Sequence, residues 1–149
     1  MDRLNLPDYS HLLRINAQTG QIFDPFRRKF VALTPEEWVR QNIARHLLAL
    51  GFPQGLIAVE QPITYNGLKK RCDVVIYNRQ AQPCAIVECK APQVGISQKT
   101  FDQIAVYNLK LKVEYLIVTN GLQHFCCKVN VETGAVEFLR DFPLPDNVL

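Results

Sequence analysis

The chain has 149 residues, 48% of them hydrophobic and 21% charged, with a formal net charge of +3. That composition describes a soluble globular protein with enough residues for one real core, and the charge permits nucleic-acid binding through a local basic patch without demanding it. No apolar run approaches the ~20 residues of a membrane span, and Met1-Asp2-Arg3-Leu4-Asn5 has no basic-then-apolar signal pattern, so a single cytoplasmic domain over residues 1–149 is expected.

Residues 1–10 carry no periodic pattern and are expected to be irregular. His11 to Ile15 and Gln21 to Phe23 flank Asn16-Ala17-Gln18-Thr19-Gly20, a credible turn, and suggest a small hairpin. Pro25-Phe26-Arg27-Arg28-Lys29-Phe30 reads as a solvated basic loop. Thr34 to Leu50 is the strongest helix. Thr34 suits the N-cap, Pro35 the first helical position and Glu37 the third place of a capping box. Val39, Ile43, Leu47 and Leu50 form its apolar stripe, and Gly51 ends it.

Leu56 to Thr64 reads as a strand, followed by the turn signal Asn66-Gly67. Lys69-Lys70-Arg71 comes next, a basic cluster that is either a charged loop or a grip on phosphate. Two further strands follow, Arg71 to Tyr77 and Cys84 to Lys90, around the polar run Asn78 to Gln82. If Asn78 pairs with Pro83, paired positions sum to 161 and Asp73 falls opposite Glu88. Opposed side chains lie roughly 4.5–5.5 Å apart at Cβ. Lys90, two residues past Glu88, shares its face. The continuous apolar runs Val74-Val75-Ile76 and Ala85-Ile86-Val87 imply strands covered on both sides. Two carboxylates and an ammonium thus converge in a partly dry place. Mg²⁺, with Mn²⁺ as its substitute, is a natural partner for such a pair, because it takes one or two carboxylates and leaves positions for water and phosphate oxygens. The bland alternative is a salt bridge on an ordinary sheet.

Ser97 suits the cap of a helix reaching Leu109 or Leu111, with Phe101, Ile104, Ala105 and Leu109 toward the core. Lys99, Gln103, Tyr107 and Lys110 form another stripe, able to meet a sugar-phosphate backbone. Glu114 to Thr119 is a short apolar strand, parallel to a neighbour by the βαβ rule. His124 to Val131 and Val136 to Leu139 suggest a hairpin, and residues 141–149, with Pro143 and Pro145, an irregular tail. The five cysteines, Cys72, Cys84, Cys89, Cys126 and Cys127, read as buried reduced thiols. His124 beside Cys126-Cys127 fits no usual zinc spacing.

Asp73, fourteen intervening residues and Glu88-Cys89-Lys90 resemble the PD-(D/E)xK nuclease signature, with Cys72 where the name has proline. Gln103-Ile104-Ala105-Val106-Tyr107 resembles the Q-x-x-x-Y element of its RecB-like branch. Together with Thr34 to Gln41 and Leu116 to Gly121, these segments resemble the N-terminal nuclease domain of type I restriction enzyme R subunits over roughly residues 20–140. The resemblance implies an α/β restriction-endonuclease-like core, a mixed sheet flanked by helices in the order αβββαβ. It implies a Mg²⁺-dependent deoxyribonuclease in which Asp73 and Glu88 bind metal, Lys90 is catalytic, and Gln103 and Tyr107 support the site or contact DNA. The backbone carbonyl of Cys89 is a further candidate metal ligand. An acidic residue from the first helix is a common addition in the superfamily, and here Glu36 is preferred to Glu37. Lys99, Lys70 and Arg71 are candidate DNA contacts. DNA is the expected partner, with a motor or specificity subunit in trans and a homodimer as further possibilities. The 149 residues contain no G-x-x-x-x-G-K-[ST] loop, so no ATP-driven translocation is expected from them. The competing class is a non-catalytic nucleic-acid-binding or assembly module on the same fold.

Overall fold

A six-stranded mixed sheet organises the molecule, with one long helix on each face. The computed structural model describes the backbone of residues 1–149 and every side chain except those of Tyr65 and Tyr107. The sheet is built from β4 (Ile57–Tyr65), β5 (Leu68–Tyr77), β6 (Pro83–Cys89), β7 (Tyr115–Thr119), β8 (His124–Val129) and β9 (Val136–Leu139), in that spatial order. Among the described residues only β6 and β7 pair in parallel, and the helix α2 (Gln98–Leu111) makes the crossover between them, as a βαβ connection requires. With α1 (Pro35–Leu50) the order αβββαβ is present. A second, three-stranded sheet comprises β1 (Ile15–Asn16), β2 (Gln21–Asp24) and β3 (Lys29–Ala32). A short helical turn, α3 (Pro145–Val148), lies in the tail expected to be irregular. Among the described residues, no helix is long and apolar enough to cross a membrane.

The core has two halves, one on each sheet face. Val39, Ile43 and Leu47 of α1 pack with Val74, Ile76, Val87 and Cys89 on one side. Ile104 of α2 packs with Ile63, Cys72, Val75, Ile86 and Val118 on the other. Val39, Ile43 and Leu47 are fully buried, so α1 is fixed by its apolar stripe and its cap. The Thr34 hydroxyl accepts the Glu37 N–H at 3.1 Å. The other half of the expected capping box is missing. The Thr34 N–H donates instead to the Ala32 carbonyl at 3.0 Å, and the Glu37 carboxylate is committed elsewhere. Gly51, at φ 108°, closes the helix in the left-handed region where glycine carries no Cβ penalty.

Four further expectations need correction. The basic stretch after Pro25 is not a solvated loop throughout, because Lys29–Ala32 form β3 against β2. Ala105 and Leu109 do not face the core; Leu109 is 58% exposed, while Thr100 and Ile104 are buried. The packed face of α2 is therefore rotated from the one expected. Ser97 precedes α2, but its side chain makes no capping bond. Finally, Asn78 does not pair with Pro83. Tyr77 pairs with Pro83, and a bulge at Cys84 then advances the register so that Ile76 meets Ala85 and Val74 meets Val87.

The N-terminal lead has little regular structure yet is tied down. Asn5 N–H donates to the Gly121 carbonyl at 2.8 Å, and the Trp38 indole donates to the Asp2 carbonyl at 2.9 Å. Gly121 stands at φ 86°, and a Cβ there would lie 2.6 Å from Leu4 Cδ2.

Candidate active site

The bulge at Cys84 has a direct effect on the charged residues. Beyond it the register sum is 161, which carries Asp73 and Glu88 to adjoining places at the end of the β5–β6 ladder. Asp73 also marks a reversal in two strands. Val59 of β4 and Val74 of β5 pack on the α1 side, whereas Ile63 and Cys72 pack on the α2 side. Residues an even number apart on one regular strand share a face, so both strands change faces between these points. The change falls at Glu60, whose φ is 51°, and at Asp73, which are skipped in the ladder between Val59↔Val74 and Gln61↔Cys72.

Asp73 and Glu88 are both buried. Asp73 Oδ2 accepts the Cys89 backbone N–H at 2.7 Å. Gln103 of α2 bridges the other two charged groups: its Nε2 donates to Glu88 Oε1 at 2.9 Å, and its Oε1 accepts from Lys90 Nζ at 3.1 Å. Lys90 Nζ also lies 3.5 Å from Glu88 Oε1. Glu88 Oε2 is buried with no hydrogen-bond partner among the described residues. Burial, then repulsion from Glu88, pushes the Asp73 carboxyl up to about 8. Burial also raises Glu88, to about 7, against the opposing pull of Lys90.

A cavity of about 390 Å³ adjoins Asp73 on the α1 side, lined among others by Glu36, Glu60, Arg40 and Gln93. Glu36 is exposed and lines this cavity, and its charge raises both buried carboxyls. Glu37 lines it too, but is committed to other partners. Its carboxylate accepts from Arg27 at 2.9 Å, from Gln41 at 3.1 Å and from Arg40 Nε at 2.9 Å. Arg40 also bonds Asp24 at 2.9 Å, and Arg27 bonds Asp24 as well. This buried network anchors the first turn of α1 to β2.

The remaining residues singled out in the sequence are dispersed. Lys99 is exposed, one turn before Gln103 on α2. Tyr107 lies one turn after it, and its side chain is outside the described residues. Lys70 and Arg71 are exposed on β5, with Arg71 3.5 Å from Glu60. The Cys89 N–H, rather than its carbonyl, makes the contact to Asp73. Sequence reasoning missed Glu60 and Arg40. Glu60 gives a weak signal as the one charged residue in its strand, whereas Arg40 resembles any polar helix residue. The five thiols are free. Burial pushes those of Cys72 and Cys126 up to about 12, far from the thiolate form a metal would need.

The family model for the type I restriction enzyme R protein N terminus matches residues 35–143. The chain belongs to this family. That span includes α1, Asp73, Glu88, Lys90 and Gln103, but not Asp24 and Arg27, which brace α1 from outside it. No curated protein matches the chain. Among solved structures, a fragment assigned as the HsdR subunit of a type I restriction enzyme from Vibrio vulnificus YJ016 is similar at 23% identity and TM-score 0.58. The match covers 78% of this chain and 24% of that one, so the chain spans about a quarter of the length of that fragment. A protein assigned as a DUF820 nuclease, from Anabaena variabilis ATCC 29413, is similar at 11% identity and TM-score 0.51, over 93% of this chain and 88% of that one. At these identities the likenesses show the fold, a nuclease-like mixed α/β domain.

The donor set fits a hard divalent cation. A buried, unpaired carboxylate oxygen next to a second buried carboxylate is costly unless a cation compensates. Among the described residues, no three His, Cys, Asp or Glu side chains form a ready cage. Mg²⁺ does not require one, since it usually keeps several waters and binds one or two carboxylates.

Proposed function

We propose that this R-protein domain hydrolyses phosphodiester bonds of DNA with a divalent cation held by Asp73 and Glu88. The observation that carries the reading is Glu88 Oε2, buried without a partner beside a second buried carboxylate. In a domain of this family, that orphaned buried oxygen is best satisfied by Mg²⁺, for which Mn²⁺ substitutes. The Cys89 carbonyl and Glu36 are the further oxygen donors assigned to it. A cation bound there lowers the pKa of a coordinated water and offsets charge on the phosphate.

The protein's own groups do the rest. Gln103 holds Lys90 and Glu88 through one amide and so orients the two members of their ion pair. Lys90 then orients the attacking water or offsets charge on the phosphate. The Cys89 N–H fixes one Asp73 oxygen and leaves the other for the cation. Arg40 and Glu37 hold the first turn of α1, and with it Glu36, against the site. Other subunits of a type I enzyme are the partners proposed to supply a motor or sequence specificity.

Incubation with supercoiled plasmid and Mn²⁺ tests the reading. Wild type is expected to nick DNA and Lys90→Ala is not. Mn²⁺ is expected to raise the Tm of wild type but not of Asp73→Ala. Equal nicking by wild type and Lys90→Ala removes the catalytic assignment. A metal-dependent Tm rise without nicking favours a non-catalytic DNA-binding or assembly module.

A further inference from the structure

The basic cluster before Asp73 is absorbed neither by the core nor by the metal site. Val74–Tyr77 of β5 pair with β6, but Leu68–Cys72 pair with β4 alone. Gln61–Tyr65 and Leu68–Cys72 therefore leave the sheet as a two-stranded ribbon with Asp73 at its root. Asn66 and Gly67 turn the tip with φ 50° and 76°, as a tight hairpin demands. The ribbon is braced from below. Ile63 and Cys72 are buried in the cluster that contains Ile104 of α2. Lys69, Lys70 and Arg71 are all exposed, and the Arg71 side chain is 67% accessible.

Charge separates this ribbon from the rest of the molecule. Residues 61–72 contain these three basic residues and no acidic one. The remaining chain holds fourteen basic and fourteen acidic residues, so the whole formal charge of +3 resides on the ribbon. An ordinary solvated hairpin has no need of such a concentration at the edge of a phosphate-cutting centre. From Asp73 to Gly67 the ribbon extends about 20 Å at the usual rise per residue, a reach of about six base pairs. A B-form major groove admits a two-stranded ribbon, whereas the deep, narrow major groove of A-form RNA does not.

We infer that the β4–β5 ribbon is a clasp for duplex DNA, seated in the major groove to one side of the cut, with Lys69, Lys70 and Arg71 on the phosphates. This rests on the DNA-cleaving reading above and adds to it the substrate class and the side from which substrate is held. The exposed Arg71 exchanges its half-buried partner Glu60 for phosphate when DNA arrives.

The test is binding of a fluorescein-labelled DNA duplex of about 30 base pairs in EDTA, across a salt series, by anisotropy. Replacing Lys69, Lys70 and Arg71 by Gln together is expected to flatten the slope of log K against log[salt] by about 2–3, since each phosphate contact contributes about 0.9. Each single change is expected to flatten it by about 0.9, which keeps the test available if the triple variant misfolds. An RNA duplex of the same sequence is expected to bind wild type at least tenfold more weakly and to be insensitive to the triple change. An unchanged DNA slope in the triple and single variants overturns the clasp, and equal loss on DNA and RNA overturns the groove seating. The Mn²⁺-induced Tm rise of the triple variant, read in parallel, keeps the two readings apart. Wild type that binds duplex through the ribbon but never nicks overturns the cutting function alone. Nicking that persists with the slope unmoved overturns the ribbon alone.

Discussion

Replacing Asp73 by Asn is expected to stabilise the metal-free protein, although it removes a proposed metal ligand. The folded-state carboxyl of Asp73 stands at about 8, against 3.8 for the ordinary group. A carboxyl raised on folding favours the folded state fully only below its unfolded value, and that advantage disappears as pH climbs through the folded value. Wild type therefore loses stability relative to the uncharged Asn variant between about pH 4 and pH 8, by about 1.4 kcal/mol per pH unit. The Asn side-chain oxygen can still accept the Cys89 N–H, so the comparison isolates charge. Between about pH 5.5 and pH 8 the gap widens by about 3 kcal/mol, or about 6–12 °C in Tm for a domain of this size. Differential scanning fluorimetry in EDTA at several pH values reads this directly. With Mn²⁺ at about 100 times its Kd, wild type gains about 2.7 kcal/mol that the variant lacks, which narrows or reverses the order. A gap independent of pH, or a variant less stable than wild type throughout, would refute the claim that Asp73 is a buried charge awaiting a cation.

Three further outcomes are expected. Gln103→Leu removes the bridge between Lys90 and Glu88; plasmid nicking is expected to fall about tenfold or more, while the Mn²⁺ shift in Tm persists. Arg40→Met leaves the buried Asp24 and Glu37 with only the partly accessible Arg27 as their shared cation; urea denaturation is expected to show a loss of about 3 kcal/mol, with cleavage by the surviving folded fraction impaired through Glu36. Gly121→Ala forces a Cβ against Leu4 at a left-handed φ and is expected to cost about 1–3 kcal/mol; Leu4→Ala in the same chain restores only the part due to the clash.

The heart of the fold was legible because the local signals agreed. Thr34, Pro35 and Gly51 bracket α1, and the period of Val39, Ile43 and Leu47 selects its buried face. The Asp73–Glu88 approach was legible for a partly accidental reason. The sequence puts the turn pairing one residue off, and the Cys84 bulge returns the ladder to the expected sum. What escaped the sequence depends on residues far apart in the chain. Nothing local joins Asp24 to Arg40, and nothing local announces that Glu60 takes a left-handed conformation. Lys29 and Phe30 read as part of a basic loop because a short edge strand with a basic start carries too little alternation to read. The α2 face was misjudged because Ala105 and Leu109 are apolar but sit beyond the reach of the sheet, a matter of helix rotation that hydropathy alone does not settle.

The reversal of both strands at Glu60 and Asp73 makes a lever of the hairpin beyond it. Its fulcrum is Asp73, proposed above as a metal ligand, so a torque on the far tip would be felt at the carboxylate as a change of aim. A duplex seated out of register would thus be cut slowly even where the contacts at the scissile bond are intact. Fidelity of placement would then be enforced by the backbone itself, without a separate proofreading element.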